Sequence, residues 1–198
     1  MIAPEFKGFL RSVVETLERL GLLYAIGGSV ASSIYGEARS TLDVDISVML
    51  PLEQIMPFAE AFQALGYYAY PEAILDAVIA HQPFNIIDSR RGFKADIFPV
   101  DPDLPTHQER QVFLRSQRRV YDRTDNATAE VYSPEDVIVY KLKYYTLGRI
   151  PKHLRDIGAI LAVQGDALDY DYIASWATQI GASEIWDALV AARRGSQP

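Results

Sequence analysis

Residues 26–46 read IGGSVASSIYGEARSTLDVDI and combine a glycine-rich turn with two closely spaced acidic residues. The Gly-Gly-Ser at 27–29 follows a short apolar run, which predicts a turn between a buried strand and a helix. Asp43 and Asp45 flank Val44, so both carboxylates point to the same face of an extended strand. N–H groups at a helix N-terminus bind phosphate, and Mg²⁺ is commonly held by one or two carboxylates together with substrate phosphates. The segment therefore predicts a site for a metal–triphosphate.

The composition excludes several classes of site. The chain has 198 residues, of which 49% are hydrophobic, with a net charge of −7 and no cysteine. This length predicts one domain, or one domain with a helical appendage. Without cysteine there is no disulfide framework, thiolate metal site or cysteine nucleophile. No apolar run reaches about 18 residues, and the N-terminus lacks a signal-peptide pattern. We therefore expect a cytoplasmic protein with no membrane partner.

A basic stretch lies in the middle of this acidic chain. Five arginines fall within fourteen positions, namely Arg110, Arg115, Arg118, Arg119 and Arg123. A negatively charged chain is not a general polyanion binder, although a local basic face can still bind nucleic acid. Two interpretations stay open: a solvated helix face, and a contact with RNA or phosphate.

The pattern of apolar residues divides the chain into regions 1–132 and 133–198. In the first region, helices are expected at 6–20, 30–35, 51–66 and 106–116, and strands at 22–26, 42–50, 67–70, 84–88, 93–98, 119–121 and 129–132, the last two as edge strands. Residues 71–82 allow a helix. From Ser133 the sequence Ser-Pro-Glu-Asp is typical of a capped helix start, and helices are expected at 134–147, 151–163, 169–179 and 183–193. The chain is thus predicted to be α/β up to about residue 130 and all-helical afterwards.

Three carboxylates in predicted strands are the candidates for chemistry. Asp43, Asp45 and Asp96 all have apolar neighbours, although Asp is a poor strand former. A divalent cation is the natural partner for such groups. If the hairpin arm with Asp96 pairs beside the strand with the other two, the three form one cluster. Two would then ligate Mg²⁺, and the third would deprotonate a hydroxyl or bind a second metal. The alternative is that Asp43 and Asp45 face solvent on an edge strand.

These motifs resemble those of the nucleotidyltransferase superfamily, whose fold is that of DNA polymerase β. The superfamily has a hydrophobic-Gly-Gly/Ser turn, then Asp-hydrophobic-Asp, then a third carboxylate between hydrophobic residues. Here these are residues 26–29, residues 43–46 after a spacer of 13 residues, and Asp96. The resemblance implies an α+β fold, a small mixed sheet flanked by helices, followed by an all-helical C-terminal region.

A finer resemblance points to the branch that contains abortive-infection nucleotidyltransferase toxins. Residues 39–41, Arg-Ser-Thr, resemble that branch's Arg-x-Thr-x-Asp-x-Asp form. Lys141 on a tail helix and Arg155-Asp156 after it resemble the branch as well. The sequence departs from it at Ala159, where a second acidic residue often follows. This resemblance implies an antitoxin as a partner.

The resemblance implies transfer of a nucleoside monophosphate from an NTP to a hydroxyl acceptor, with Mg²⁺ or Mn²⁺ bound and pyrophosphate released. The acceptor stays open between RNA such as tRNA, a small molecule and a protein, and the nucleobase stays open too. The implied catalytic and metal-binding residues are Asp43, Asp45 and Asp96, with Asp96 as the base. The implied nucleotide-binding residues are Gly27, Gly28, Ser29, Arg39, Thr41 and Lys141.

Three further expectations concern the tail and the competing functions. Lys141 and Lys143 are two apart on a helix, so we expect only one of them to face the triphosphate. Asp156 is expected to be a salt-bridged tail residue. The competing functions are a non-catalytic nucleotide-binding or antitoxin-like partner that keeps the fold, and a nucleic-acid-binding module that uses the 110–123 stretch.

Overall fold

Helices and strands are interspersed up to residue 131, and the described elements after it are all helical. A computed structural model describes residues 3–38, 40–103 and 105–195. The helices are α1 (Pro4–Arg19), α2 (Gly28–Tyr35), α3 (Ile55–Gln63), α4 (Pro71–Ile79), α5 (His107–Arg115), α6 (Pro134–Gly148), α7 (Lys152–Gln164), α8 (Tyr170–Gln179) and α9 (Ser183–Gly195). The strands are β1 (Tyr24–Ile26), β2 (Asp43–Met49), β3 (Phe84–Asp88), β4 (Phe93–Val100), β5 (Gln117–Asp122) and β6 (Ala127–Val131).

The strands form one mixed sheet in the order β3-β4-β2-β1-β6-β5. β2 is parallel to β4 and β1 is parallel to β6, whereas the β1–β2, β3–β4 and β5–β6 pairs are antiparallel. The expected mixed sheet with flanking helices and C-terminal helices is confirmed. β2 is an interior strand, so the edge-strand alternative for Asp43 and Asp45 is wrong.

Alternation along β2 gives the sheet its two faces. Val44, Ile46 and Val48 are fully buried in the hydrophobic core, whereas Asp43 and Asp45 are only partly buried and point to the other face. The core side is covered by α1, whose buried residues recur at three- and four-residue spacing as expected. The carboxylates are therefore on the face opposite the one that α1 covers.

The tail begins at α6, where the expected cap is confirmed. Ser133 is the N-cap, and its hydroxyl accepts the backbone N–H of Asp136 at 3.1 Å. α6 packs against α2, α7 and α8. The tail thus lies beside the turn that precedes α2, and this brings its side chains towards β2.

Several local expectations differ from the structure. Residues 67–70 form no strand, only a single bridge from Tyr68 to Ile87, because Pro71 starts α4 directly afterwards. The helix expected from Pro51 begins with a 3-10 turn, Leu52–Gln54, before α3. β6 is not an edge strand, since β1 pairs with its other side. Among the described helices, none has the length and apolar character needed to cross a membrane.

Candidate active site

The three aspartates lie on two neighbouring strands of the sheet. In the parallel β2–β4 pair, Asp45 is opposite Asp96 and Asp43 is opposite Lys94. The expectation that the hairpin arm with Asp96 pairs beside β2 is therefore confirmed. Because the side-chain period of a strand is two, all three carboxylates and the Lys94 side chain share one face.

Each carboxylate has a defined partner. Thr41 donates from its hydroxyl to Asp43 Oδ1 at 2.5 Å, and the Lys94 ammonium lies 2.8 Å from Asp96 Oδ2. Burial raises the pKa of Asp45, and the charges of Asp43 and Asp96 raise it further. Lys141 and the backbone N–H of Ser29 act in the opposite direction on this pKa. The site therefore carries surplus negative charge centred on Asp45.

A divalent cation would neutralise this surplus charge. The oxygen donors of Asp43 and Asp45 suit Mg²⁺, which is often held by two carboxylates with substrate phosphates supplying further ligands. In the described part of the chain, no three His, Cys, Asp or Glu side chains converge into a metal-binding group. The metal-ligand role of Asp43, Asp45 and Asp96 therefore stays a prediction.

The glycine turn is held directly against β2. The N–H of Gly27 donates to the carbonyl of Asp45 at 2.8 Å. Gly28 has a φ of +56°, and a Cβ there would lie 1.7 Å from Asp45 Oδ2. The N–H of Ser29, in the first turn of α2, donates to the Asp45 carboxylate. The N-terminus of α2 thus lies beside the carboxylates, which is the arrangement that the sequence predicts.

Lys141 of α6 approaches the same carboxylates from the tail. It is 5% exposed, and its Nζ lies 2.5 Å from Asp156 Oδ2. The expectation that Asp156 is a salt-bridged tail residue is therefore confirmed. Lys141 also lowers the pKa of Asp45 through its charge.

A cavity of about 490 Å³ lies between α6 and the carboxylate face of the sheet. This volume falls within the usual range for small-molecule sites. Its polar lining includes three lysines and two carboxylates, and its aromatic lining includes Phe98 and three tyrosines. The lining residues are Gly27, Gly28, Ser29, Asp45, Ser47, Phe98, Val100, Thr106, Gln108, Glu109, Tyr132, Val137, Tyr140, Lys141, Lys143, Tyr144, Lys152 and His153. The cavity therefore joins the glycine turn to the tail.

Both Lys141 and Lys143 line the cavity, and the expectation that only one of them faces the triphosphate stays a prediction. Lys143 reaches across to α5, where its Nζ donates to Gln108 Oε1 at 3.3 Å. Helix spacing places the two Cα atoms on different sides of α6. A lysine stem of four carbons is long enough to bring the second ammonium back to the opening.

The aromatic part of the cavity wall was not assigned to the site from the sequence, where core packing was the favoured interpretation of Tyr144 and base stacking the alternative. The Tyr144 ring stacks on the His153 imidazole, with centroids 6.2 Å apart, and Tyr144 is 42% exposed. No role was expected for any histidine. The available signal was the density of tyrosines and lysines from Tyr140 to Tyr145, next to the lysine that the resemblance had already selected.

The remaining candidate binding groups are Arg39 and the basic stretch at 110–123. Arg39 lies outside the described residues. Arg115 lies on α5, Arg118 on β5 and Arg123 beyond that strand, so the basic stretch is not one helix face. Arg115 is paired with Glu135 at 3.1 Å and Arg118 with Glu18 at 2.7 Å, so much of its charge is neutralised within the chain.

No protein-family model matches the chain, and no curated protein matches it in sequence. Solved structures do match. The lincosamide antibiotic adenylyltransferase LnuA, lincomycin-bound, superposes with a TM-score of 0.52 at 12% identity, over 82% of this chain and 98% of LnuA. ANT(2'')-Ia in complex with adenylyl-2''-tobramycin gives 0.52 at 12% identity, over 98% of each chain. An antigenic nucleotidyltransferase-like protein from Paracoccidioides brasiliensis gives 0.51 at 15% identity, over 96% and 94%. At these identities the likeness is one of fold, and the fold of this chain is the one found in nucleotidyltransferases.

Proposed function

We propose that the protein transfers a nucleoside monophosphate from an NTP to a hydroxyl group and releases pyrophosphate. The observation that carries the proposal is the pairing of Asp45 with Asp96 in neighbouring strands, directly against the N-terminus of α2. Carboxylates that lie beside phosphate-binding N–H groups suit a nucleotide whose phosphates are bound together with a divalent cation.

The nucleotide's phosphates lie between α2 and α6 in this proposal. Gly28 and Ser29 present the helix N-terminus, and Lys141 supplies a positive charge from the opposite wall of the cavity. Asp43 and Asp45 hold Mg²⁺ or Mn²⁺, which when bound offsets the charge of the phosphates in the transition state. Thr41 holds one oxygen of Asp43 by its hydrogen bond and so orients that carboxylate.

Asp96 is the general base of the proposed reaction. It takes the proton of the acceptor hydroxyl, and the hydroxyl oxygen forms a bond to the α-phosphorus. The bond from the α-phosphorus to the oxygen that bridges to the β-phosphate breaks, and pyrophosphate leaves with both electrons of that bond. The α2 N–H groups and Lys141 stabilise the charge on the leaving pyrophosphate.

We propose a small molecule with a free hydroxyl as the acceptor and ATP as the donor. Support comes from LnuA and ANT(2'')-Ia, described as an antibiotic adenylyltransferase and as a complex with an adenylyl-antibiotic, which share this fold over almost their whole length. ANT(2'')-Ia matches over 98% of this chain, so that likeness includes the tail helices, which shape the cavity in this chain. An RNA or protein acceptor is the alternative outcome of the experiment below.

The proposal of a toxin with an antitoxin partner has weaker support. It rests on the resemblance of residues 39–41 and of the tail motif, from which Ala159 departs. In the structure α7 approaches α2 closely at this point, and a Cβ on Gly36 would lie 3.2 Å from Ala159 Cβ. The departure at Ala159 favours the small-molecule enzyme over the toxin.

The proposed function is tested by pyrophosphate release. The protein is incubated with each labelled NTP, Mg²⁺, and aminoglycosides, lincosamides, tRNA or total cell extract. We expect one acceptor class to become labelled. Asp43→Asn, Asp45→Asn and Asp96→Asn should each reduce release by about 10²-fold or more, whereas Asp171→Asn on the exposed side of α8 should not.

Two outcomes would contradict the proposal. If no NTP with Mg²⁺ raises the melting temperature, the nucleotide site is wrong. If an NTP binds but no acceptor is labelled in any extract, and Asp45→Asn keeps the protein's biological effect, a non-catalytic nucleotide-binding partner is favoured.

A further inference from the structure

A lysine of the chain lies among the three carboxylates. Lys94 is opposite Asp43 in the β2–β4 register, two residues before the Asp45–Asp96 pair and therefore on the same face of the sheet. Its Nζ lies 2.8 Å from Asp96 Oδ2. The four side chains therefore form a two-by-two block on one face of the sheet, with three negative charges and one positive charge.

The block has cations on two sides. Lys141 lines the cavity beside Asp45 and is bonded to Asp156 of the tail. Lys94 is on the other side, where it contacts Asp96. The Lys94 side chain is 39% exposed and that of Asp96 is 19% exposed, so the ion pair lies at the open edge of the site. That edge is where an acceptor hydroxyl would reach Asp96.

We propose that Lys94 is a positioning residue that occupies one oxygen of Asp96 and thereby limits the carboxylate block to one divalent cation, held by Asp43 and Asp45. This inference rests on the proposed function. Asp96 has two oxygens, and the ammonium takes Oδ2. A second divalent cation shared with Asp96 would lie within a few ångströms of Nζ, where two positive charges repel strongly in a partly buried site.

The ion pair also selects the oxygen that does the chemistry. With Oδ2 held by Lys94, the carboxylate plane of Asp96 is oriented and Oδ1 is the oxygen that takes the acceptor's proton. The role of Asp96 is then that of a base alone. From the sequence, the third carboxylate is either a base or a ligand of a second metal, and Lys94 favours the base.

The test counts the bound cations directly. Mn²⁺ is titrated into the full chain with α,β-methylene-ATP present, and free Mn²⁺ is measured by electron paramagnetic resonance. We expect one tightly bound Mn²⁺ per chain for the wild type, after subtraction of the analogue alone. Lys94→Met should bind two, because the oxygen held by the ammonium becomes available to a metal.

Matched variants separate charge from structure. Lys94→Arg keeps the positive charge and should stay at one Mn²⁺, and Lys94→Gln is a second neutral variant in case Lys94→Met fails to fold by circular dichroism. Arg90→Met removes an exposed cation from the same hairpin and should also stay at one. Two Mn²⁺ in the wild type, or one in both neutral variants, would overturn the role of Lys94. No bound Mn²⁺ in any variant would overturn the proposed function as well.

Discussion

Gly28 is the residue at which the turn and the carboxylates meet most closely. Its φ of +56° lies in the left-handed region, and a Cβ would lie 1.7 Å from Asp45 Oδ2. Glycine is therefore needed for two separate reasons, the backbone conformation and the contact. Gly21 shares only the first reason, since its φ is +69° and no atom lies within 4 Å of its ideal Cβ position.

Alanine substitutions at Gly21 and Gly28 distinguish the effect of backbone strain from that of steric overlap. Gly21→Ala should lower the free energy of unfolding in urea by about 1–2 kcal/mol, the cost of a left-handed non-glycine residue. Gly28→Ala should lower it further, because the added methyl displaces the Asp45 carboxylate. It should also remove the rise in melting temperature that NTP and Mg²⁺ produce. Equal losses of stability in the two variants, or a nucleotide response that survives in Gly28→Ala, would contradict this account of the turn.

At the scale of elements, β2 pairs with two strands that contribute different parts of the candidate site. Pairing with β1 places it beside the glycine turn, and pairing with β4 brings in Asp96. Its apolar residues alternate with its polar ones, so a slip of one residue in register would turn both aspartates into the core. The buried positions Val44 and Ile46 thus determine where the carboxylates point.

The first helix is tied to the far end of the sheet by an ion pair. Lys7 Nζ of α1 lies 2.6 Å from Asp122 Oδ1 at the end of β5. The N–H of Thr124 also donates to Asp122 at 3.0 Å. These partners lower the pKa of Asp122 to about 2. Lys7 and the Thr124 N–H both favour the ionised form of Asp122, so the Asp122 carboxylate binds a proton less readily in the native state than in the unfolded chain.

The stabilisation from this pair depends on pH. A lowered native pKa contributes stability above the unfolded value, near 3.8, and this contribution is lost as the pH falls towards about 2. Asp122→Asn should therefore lower the free energy of unfolding at pH 7 by about 1–2 kcal/mol and have little effect at pH 2. Urea denaturation at both pH values measures the difference. The exposed Asp171→Asn is the control, and an Asp122→Asn effect that is the same at both pH values would refute the ion-pair explanation.

At the scale of the whole molecule, a buried polar network joins the tail to the α/β region. Arg115 of α5 pairs with Glu135 of α6 at 3.1 Å, and its guanidinium lies 4.0 Å from the Tyr172 ring centroid on α8. The Tyr172 hydroxyl donates to Asp136 at 2.6 Å. Glu135 is 6% exposed, so loss of its arginine leaves a buried charge with less compensation.

We expect regions 1–132 and 133–198 to unfold together. Both tryptophans of the chain, Trp176 and Trp186, lie in the tail, so their fluorescence reports on it, whereas far-ultraviolet circular dichroism reports on all elements. The two urea transitions should coincide in the wild type. Arg115→Met should shift both together by about 3 kcal/mol, and the exposed Arg118→Met by less than about 1 kcal/mol. A tail transition that separates from the other would instead support two independent units.

The local sequence pattern was sufficient to predict most helices and strands, and also the glycine turn and the two aspartates of β2. The period of α1, the alternation in β2 and the cap at Ser133 are encoded in neighbouring residues, so they could be predicted. The single bridge at Tyr68 and the interior place of β6 could not, because strand pairing depends on distant partners. The place of Lys143 in the cavity wall could not be predicted either, because helix spacing says where a side chain starts and not how far it reaches.

The sequence by itself determined the chemistry that is present: a glycine turn before a short helix, two aspartates on one strand face, and a third within a hairpin. These are properties of short segments with strong local preferences. Only the tertiary structure decided which groups meet. The parallel pairing of β2 with β4 put Asp96 beside Asp45 and Lys94 beside Asp43, because side chains on adjacent strands become neighbours only through register. The packing of α6 across the sheet made the cavity, since its walls come from segments about a hundred residues apart in the chain.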